Sequence, residues 1–429
     1  MNSAAVSDSP RPAAPGSAGT YAFALIASLF FFWGIANNLN DILIKQFKNA
    51  FELSDFRAGL VQSAFYGGYF LLAIPASLCM RRFGYKSALL VGLGLYALGA
   101  FLFYPAAALR TYPLFLGALF VIACGLAFLE TSANPLVTVL GPQAGATRRL
   151  NLAQSFNPLG SITGVLIGQR FILSGVEPTQ AQLAALTGGA RAAYYASQSS
   201  AVQTPYVVIG CVVLLWALLI GTVRLPTESA DPDQLSGGTR PGTLWGNRNF
   251  VLAVVAQFFY VGAQVGIWSY LIRYAQQTVP GTSQRHAADF LTISLVLFMV
   301  GRFAGTALMR YLAPARLLAG FAVAALVLAA VAVLLPGSTG VAALVAVSFF
   351  MSIMFPTIFA LGLRGLDDQA RKSAAPFLVM AIVGGATLTL LMGGISDAAG
   401  IPRAMCVPAL CFAVILAFAT YTRSLTTAV

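Results

Sequence analysis

The chain has 429 residues; 58% are hydrophobic, 9% are charged, and 25 basic against 13 acidic side chains leave a formal charge of +12. Soluble surfaces need roughly 25–35% Lys, Arg, Glu and Asp, so this composition argues against a soluble enzyme, a nucleic-acid binder and a disordered protein alike. The solvent that suits it is a lipid bilayer.

Residues 1–20 are rich in Ala, Pro, Ser and Gly. No basic stretch precedes a short apolar core there, so the segment reads as a disordered tail and not as a signal peptide. A helix needs about 20 apolar residues to cross the hydrocarbon core. Twelve such runs follow, at about 20–45, 57–79, 87–107, 112–140, 150–174, 204–223, 250–277, 287–309, 315–335, 340–363, 373–395 and 403–422. The polar segment 224–249, rich in Pro, Gly, Asp and Thr, divides six runs from six. The expected fold is an all-α polytopic membrane protein with twelve transmembrane helices. An N-terminal bundle covers 21–223, a cytoplasmic linker 224–249 and a C-terminal bundle 250–422, ahead of a short tail at 423–429. Gly67, Gly68, Pro135, Pro158, Pro356, Gly384 and Gly385 lie inside the runs. In a bundle, small residues let helices approach closely and neighbours satisfy freed backbone groups.

Placing the N-terminus in the cytoplasm puts fifteen Lys and Arg on that side and nine on the other, with Arg302 inside the eighth run. Excess positive charge marks the cytoplasmic side, which sets both termini inside. Five cysteines lie in or beside apolar runs without a CxxC pair, and the single histidine, His286, stands in a polar stretch. No metal site or disulfide framework is expected.

The two halves resemble each other at an offset near 228. Gly34 with Ile42-Leu43-Ile44-Lys45 matches Gly262 with Tyr270-Leu271-Ile272-Arg273, and Met80-Arg81-Arg82 matches Met309-Arg310-Tyr311. At an offset of 221, Phe128, Pro135 and Leu140-Gly141 match Phe349, Pro356 and Leu361-Gly362. Two repeats of six helices are a transporter architecture, with substrate bound between the halves near the midplane.

Two acids interrupt apolar runs, Asp41 in the first and Glu130 in the fourth. A charge at the bilayer centre costs at least about 2.5–3.5 kcal/mol, so an intramembrane acid is a functional candidate by default. Asp41 could instead pair with Lys45 one turn on at the interface, and Glu130 could form a structural ion pair or hydrogen bond. Desolvation disfavours the charged form of a carboxyl group, so an acid in a half-dry cavity can exchange a proton at working pH. Arg302 could pair with an acid across the bundle, reach to the interface or hold the eighth helix against carbonyls, and the sequence leaves these open. Around the acids stand amides: Asn37, Asn38, Asn134, Gln154, Asn157, Gln257 and Gln264. Amides both donate and accept, which suits sugar hydroxyls. Trp33, Phe65, Tyr66, Tyr260 and Trp268 could offer flat faces to the C–H side of a sugar ring.

The motifs Phe32-Trp33-Gly34-Ile35-Ala36-Asn37-Asn38-Leu39-Asn40-Asp41, Phe128-Leu129-Glu130-Thr131-Ser132-Ala133-Asn134-Pro135, Arg149-Leu150-Asn151-Leu152-Ala153-Gln154-Ser155-Phe156-Asn157 and Tyr260-Val261-Gly262-Ala263-Gln264 resemble the fucose:proton symporter family of the major facilitator superfamily. The likeness runs from about residue 21 to 422. It implies proton coupling at Asp41 and Glu130. It implies sugar contacts at Asn38, Glu130, Gln154 and Asn157, with Trp33, Gln264 and Phe355 as further candidates. The loop Arg81-Arg82-Phe83-Gly84-Tyr85-Lys86 resembles the 2–3 loop of the superfamily, which implies gating roles for Arg81 and Arg82, with Arg310 as their counterpart. Glu130 is similar to the fucose permease branch, whereas the glucose/galactose and N-acetylglucosamine branch usually carries an uncharged residue there. Phe355 departs from the Tyr expected in the fucose branch, so the sugar stays open.

The expected activity is import of a neutral monosaccharide with a proton, L-fucose first and glucose, galactose or N-acetylglucosamine as alternatives. Coupling to Na⁺ is a further alternative. No cofactor beyond the proton gradient and no nucleic-acid partner is expected. The expected setting is a bacterial inner membrane, with the monomer as the working unit. A membrane enzyme would need a nucleophile–base set or metal ligands inside the spans, and a sensor would need a soluble output domain; neither is evident in the sequence.

Overall fold

A computed structural model describes residues 17–51, 55–172, 188–223, 225 and 241–427. Most of the expected tail and linker therefore lies outside the described residues, as does the side chain of Asp41. The described chain is helical throughout, and ten of its helices are long and apolar enough to cross a membrane. Two further crossings bring the count to the expected twelve, and each was hidden for a physical reason.

The first span is Ser17–Phe51. The second and third run together as Asp55–Leu109, whose apolar stretch Ala64–Leu109 has 46 residues. At 1.5 Å per residue that stretch would extend about 69 Å, against a hydrocarbon core of about 30 Å. The chain turns at Gly84, with φ at 82°, a conformation a residue without Cβ adopts without strain. The fourth span is Tyr112–Val139. The fifth is broken into Ala146–Gln154, Phe156–Ile167 and Gly168–Ile172, each too short to cross alone. The sixth is Gln203–Thr222, and the helix Gly188–Ser200 precedes it.

A short helix, Pro241–Gly246, leads to the seventh span, Arg248–Thr278. The eighth is Gln284–Leu308, starting just ahead of His286, and the ninth is Pro314–Leu334. The last three are interrupted near Pro or Gly. The tenth is Ser338–Met351 with Met354–Gly362, the eleventh Asp368–Met380 with Gly384–Ala399, and the twelfth Ile401–Ala404 with Cys406–Thr427. Side-chain oxygens of Asn247, Ser283 and Asp367 cap the seventh, eighth and eleventh spans by accepting from the backbone N–H three residues on.

Each half is closed by glycine. A Cβ on Gly160 of the fifth span would overlap the Phe31 carbonyl oxygen of the first, and one on Gly384 of the eleventh would overlap the Phe258 carbonyl oxygen of the seventh. The two contacts are 227 and 224 residues apart, so the internal repeat recurs as packing. The central helices are the fourth, buried on every side from Ile122 to Thr138, and the tenth, buried from Met351 to Leu363. The face where the first span begins and the twelfth ends is called the terminal face below.

Candidate functional site

The buried middle of the fourth span carries polar side chains that a membrane helix does not need for packing. Glu130 is 2% exposed, and neither of its carboxyl oxygens has a hydrogen-bond partner among the described residues. Thr131 Oγ1 and Asn134 Nδ2 are likewise buried and unpartnered among the described residues, and Trp33 Nε1 of the first span lies beside the Tyr69 hydroxyl of the second. Tyr69 lies within electrostatic reach of Glu130. Nearly all buried polar groups in folded proteins are hydrogen-bonded, and a group left without a partner bears the full desolvation penalty. Several such groups on neighbouring helices make a place for a polar ligand. Inside the group Gln154 Nε2 donates to Asn134 Oδ1 at 2.9 Å and ties the fifth span to the fourth.

Arg302, buried in the eighth span, explains how two broken spans are tolerated. A proline lacks the N–H that would bond the carbonyl four residues earlier. Pro158 thus frees the carbonyl of Gln154, and Pro356 frees that of Ser352. Arg302 Nη1 donates to the Gln154 oxygen at 2.9 Å and its Nε to the Ser352 oxygen at 2.7 Å. One guanidinium therefore closes a break in each half and joins them, while its Cζ lies 4.7 Å from the centre of the Phe298 ring. Of the roles left open by the sequence, the structure selects the carbonyl one. The same device recurs nearer the terminal face, where Pro376 frees the Lys372 carbonyl and Ser77 Oγ donates to it across the halves at 2.6 Å.

Other hydrogen bonds between the halves gather on the same side of the site. Tyr85 OH donates to Asp368 Oδ1 at 2.9 Å, Asn151 Nδ2 to Thr357 Oγ1 at 3.1 Å, and Arg371 Nη2 to Gln143 Oε1 at 3.1 Å. Lys372 pairs with Asp368 and lies over the Tyr85 ring. A cleft of about 400 Å³ remains there between the halves, lined by Thr138, Thr147, Arg364 and Arg371 among others. Arg81, Arg82 and Arg310 are exposed at this face. None of the three takes part in the bonds just described; Arg82 lies over the ring of Phe83, with 5.3 Å from its Cζ to the centroid.

Glu130, Gln154 and Trp33 belong to the group around the fourth span. Asn38 Nδ2 donates to Gly34 O of its own helix at 3.2 Å, and Asn157 Nδ2 donates to Phe30 O at 3.3 Å, binding the fifth span to the first. One N–H of each amide is thus engaged in helix packing, and the second N–H and the amide oxygen are not used by these bonds. Phe355 packs on Tyr260, ring centroids 6.2 Å apart, and Gln264 is half-buried on the same span as Tyr260. Asp41 has its backbone in the first span and its side chain outside the described residues. Tyr69 and Thr131 were not picked out from the sequence. The helical spacing of Tyr69, four after Phe65, was a usable signal, and the two rings lie 5.4 Å apart.

Replacement of Arg302 by Lys tests the double-carbonyl role. An ammonium is a point donor and cannot match the fork of a guanidinium, so at least one proline-freed carbonyl loses its partner, at about 1–3 kcal/mol. The melting temperature of the purified variant is expected to fall and its transport to drop by about tenfold or more. Wild-type values for both would refute the role.

The profile of the Major Facilitator Superfamily matches residues 21–375. The chain is 50% identical over 406 residues to the L-fucose-proton symporter of Escherichia coli (strain K12), spanning 93% of this chain and 92% of that protein. It is 38% identical over 411 residues to the glucose/galactose transporter of Brucella abortus biovar 1 (strain 9-941), spanning 95% and 96%. The crystal structure of the major facilitator superfamily transporter FucP in the outward conformation superposes with a TM-score of 0.87 at 48% identity, covering 94% of this chain and 99% of that one. The helical halves, the repeat in their packing and the full-length extent of these matches lead to one placement: the chain belongs to the major facilitator superfamily, in its fucose:proton symporter family.

Proposed function

We propose that this transporter imports L-fucose together with a proton. The observation that carries the reading is Glu130, buried between helices with both carboxyl oxygens unpartnered. A neutral carboxylic acid is tolerable in such a place and a bare carboxylate is not, because an unpaired buried charge is far costlier than a buried neutral group. The same acid becomes tolerable as an anion once water or a donor reaches it. Binding and release of a proton are thereby tied to opening of the site. Asp41 is assigned to the same coupling, and Asn38, Gln154, Asn157, Trp33, Gln264 and Phe355 to the sugar.

The bonds of Ser77, Tyr85, Gln143, Asn151 and Arg302 hold the halves together towards the terminal face. With the positive-inside count, that face is assigned to the cytoplasm of a bacterial inner membrane, both termini lying inside. Sugar and proton enter from the periplasm, the halves rock, and these bonds part, with Arg81, Arg82 and Arg310 flanking them. No cofactor is needed beyond the gradient, and one chain is a complete unit.

A glucose or galactose substrate is the second reading. It is favoured by Phe355, which presents no hydroxyl beside Tyr260, and by the Brucella relative's name. Purified protein in liposomes with an inward pH gradient decides between them. L-fucose uptake that a protonophore abolishes and sodium does not replace is the expected result. Uptake of glucose or galactose in preference to L-fucose would give the second reading, and sodium dependence would end the proton one.

A further inference from the structure

Among the described residues the N-terminal half holds most of the unpartnered buried polar atoms, but the seventh span carries four more, at Asn249, Gln257 and Tyr260. Gln257 is fully buried, and neither its Nε2 nor its Oε1 has a hydrogen-bond partner among the described residues; the Tyr260 hydroxyl is in the same state. Residues three apart on a helix share a face. This face turns to the tenth span, since a Cβ on Gly362 would press on Ala253, and Phe355 packs on Tyr260. Tyr260 lies within electrostatic reach of Arg302. Arg302 in turn holds the backbone of Gln154, whose side chain bonds Asn134 one turn from Glu130. A series of neighbouring groups thus leads from Tyr260, one turn from Gln257, across the junction of the halves to the acid.

We propose that Gln257, with Tyr260 beside it, forms the subsite of the C-terminal half that reads sugar hydroxyls. A carboxamide sets a donor and an acceptor side by side. Two hydroxyls on adjacent ring carbons answer it, one accepting from Nε2 and the other donating to Oε1, and only some stereoisomers present both at once. The rings of Tyr260 and Phe355 flank this pair and suit the C–H face of the sugar. A sugar held by Gln257 on one side and by the Glu130 group on the other bridges the halves, which links recognition to their closure. The inference rests on the sugar-transport reading above.

The test uses the purified full-length protein, its thermal unfolding and its binding of L-fucose and monodeoxy-L-fucose analogues. Gln257→Met keeps the side-chain length and removes two unsatisfied polar atoms, so its ligand-free melting temperature is expected to equal or exceed that of wild type. Its affinity for L-fucose is expected to fall by about tenfold or more. The analogue lacking a hydroxyl read by Gln257 should bind wild type and variant with nearly equal affinity. Gln257→Asn, which keeps the amide but withdraws it by one methylene, should show the same loss in affinity and guards against a folding defect in the first variant. Tyr260→Phe should give a smaller loss. If the Gln257 variants bind L-fucose as wild type does, or if Gln257→Met melts lower with affinity unchanged, Gln257 serves packing or a structural water and the subsite is overturned. If wild type itself binds L-fucose but no analogue discriminates the variants, the subsite alone falls. If wild type binds no monosaccharide, the transport reading falls first.

Discussion

Glu130→Gln is expected to abolish proton-driven accumulation of sugar while leaving exchange of sugar across the membrane. Glutamine keeps the size and hydrogen-bonding capacity of the acid but has no proton to take up or release. One pH unit is worth about 1.4 kcal/mol per proton, a factor of ten in an equilibrium ratio. Under a gradient of two units, a carrier moving one proton per sugar therefore accumulates up to about a hundredfold, and the variant should stop at a ratio near one. Counterflow needs only rebinding and rocking, so it should persist at a rate comparable to wild type. The check is paired uptake and counterflow in the same proteoliposome preparation. Accumulation at the wild-type level by the variant would remove Glu130 from the coupling. Loss of counterflow along with uptake would make it a binding group only. Asp41→Asn is expected to behave as Glu130→Gln does, from the role assigned to that position.

Gly160→Val and Gly384→Val are expected to prevent stable folding. At both positions the first atom of any side chain would run into a backbone carbonyl of the facing span, Phe31 in one half and Phe258 in the other. Backbone cannot rotate away as a flexible side chain can. Overpacking in cores costs typically 1–3 kcal/mol, and here the spans must separate to accept the methyl groups, so about 3 kcal/mol or more is expected at each site. The measurement is the yield of monodisperse protein and its melting temperature in detergent. Gly67 is the control: a Cβ there meets nothing within 4 Å, and Gly67→Val should be nearly neutral. Equal damage at 160 and 384 would show that the two halves are built on one packing rule. Tolerance at either would refute close approach at that crossing.

The comparison of sequence with structure is most instructive at the prolines. Pro158 and Pro356 were legible as tolerated interruptions of apolar runs, because a proline inside a span announces a freed carbonyl four residues earlier. The donor could not be read. Arg302 stands 148 residues from Gln154 and 50 from Ser352, and no local pattern joins them. Glu130 stood out because a charge in an apolar run is costly wherever the run folds. Asn38 and Asn157 looked equivalent to Gln154 on the same grounds, yet the structure directs one N–H of each to a helix carbonyl and one N–H of Gln154 to Asn134. An amide's partner depends on which helix crosses at its level, and single-helix spacing carries no such information. The terminal face shows the same limit. Arg81 and Arg82 were conspicuous by charge, but Tyr85, next along that turn, meets Asp368 of the eleventh span.

The bilayer, the number of crossings, the two repeats and the anomalous acid follow from the sequence by itself, since each depends on the transfer of residues from water to lipid or on periodicity along the chain. The tertiary structure alone decided which buried polar atoms are paired and which are left without partners among the described residues. Hydrogen bonds between helices are set by where two distant segments cross; within each half close glycine contacts help to set that crossing.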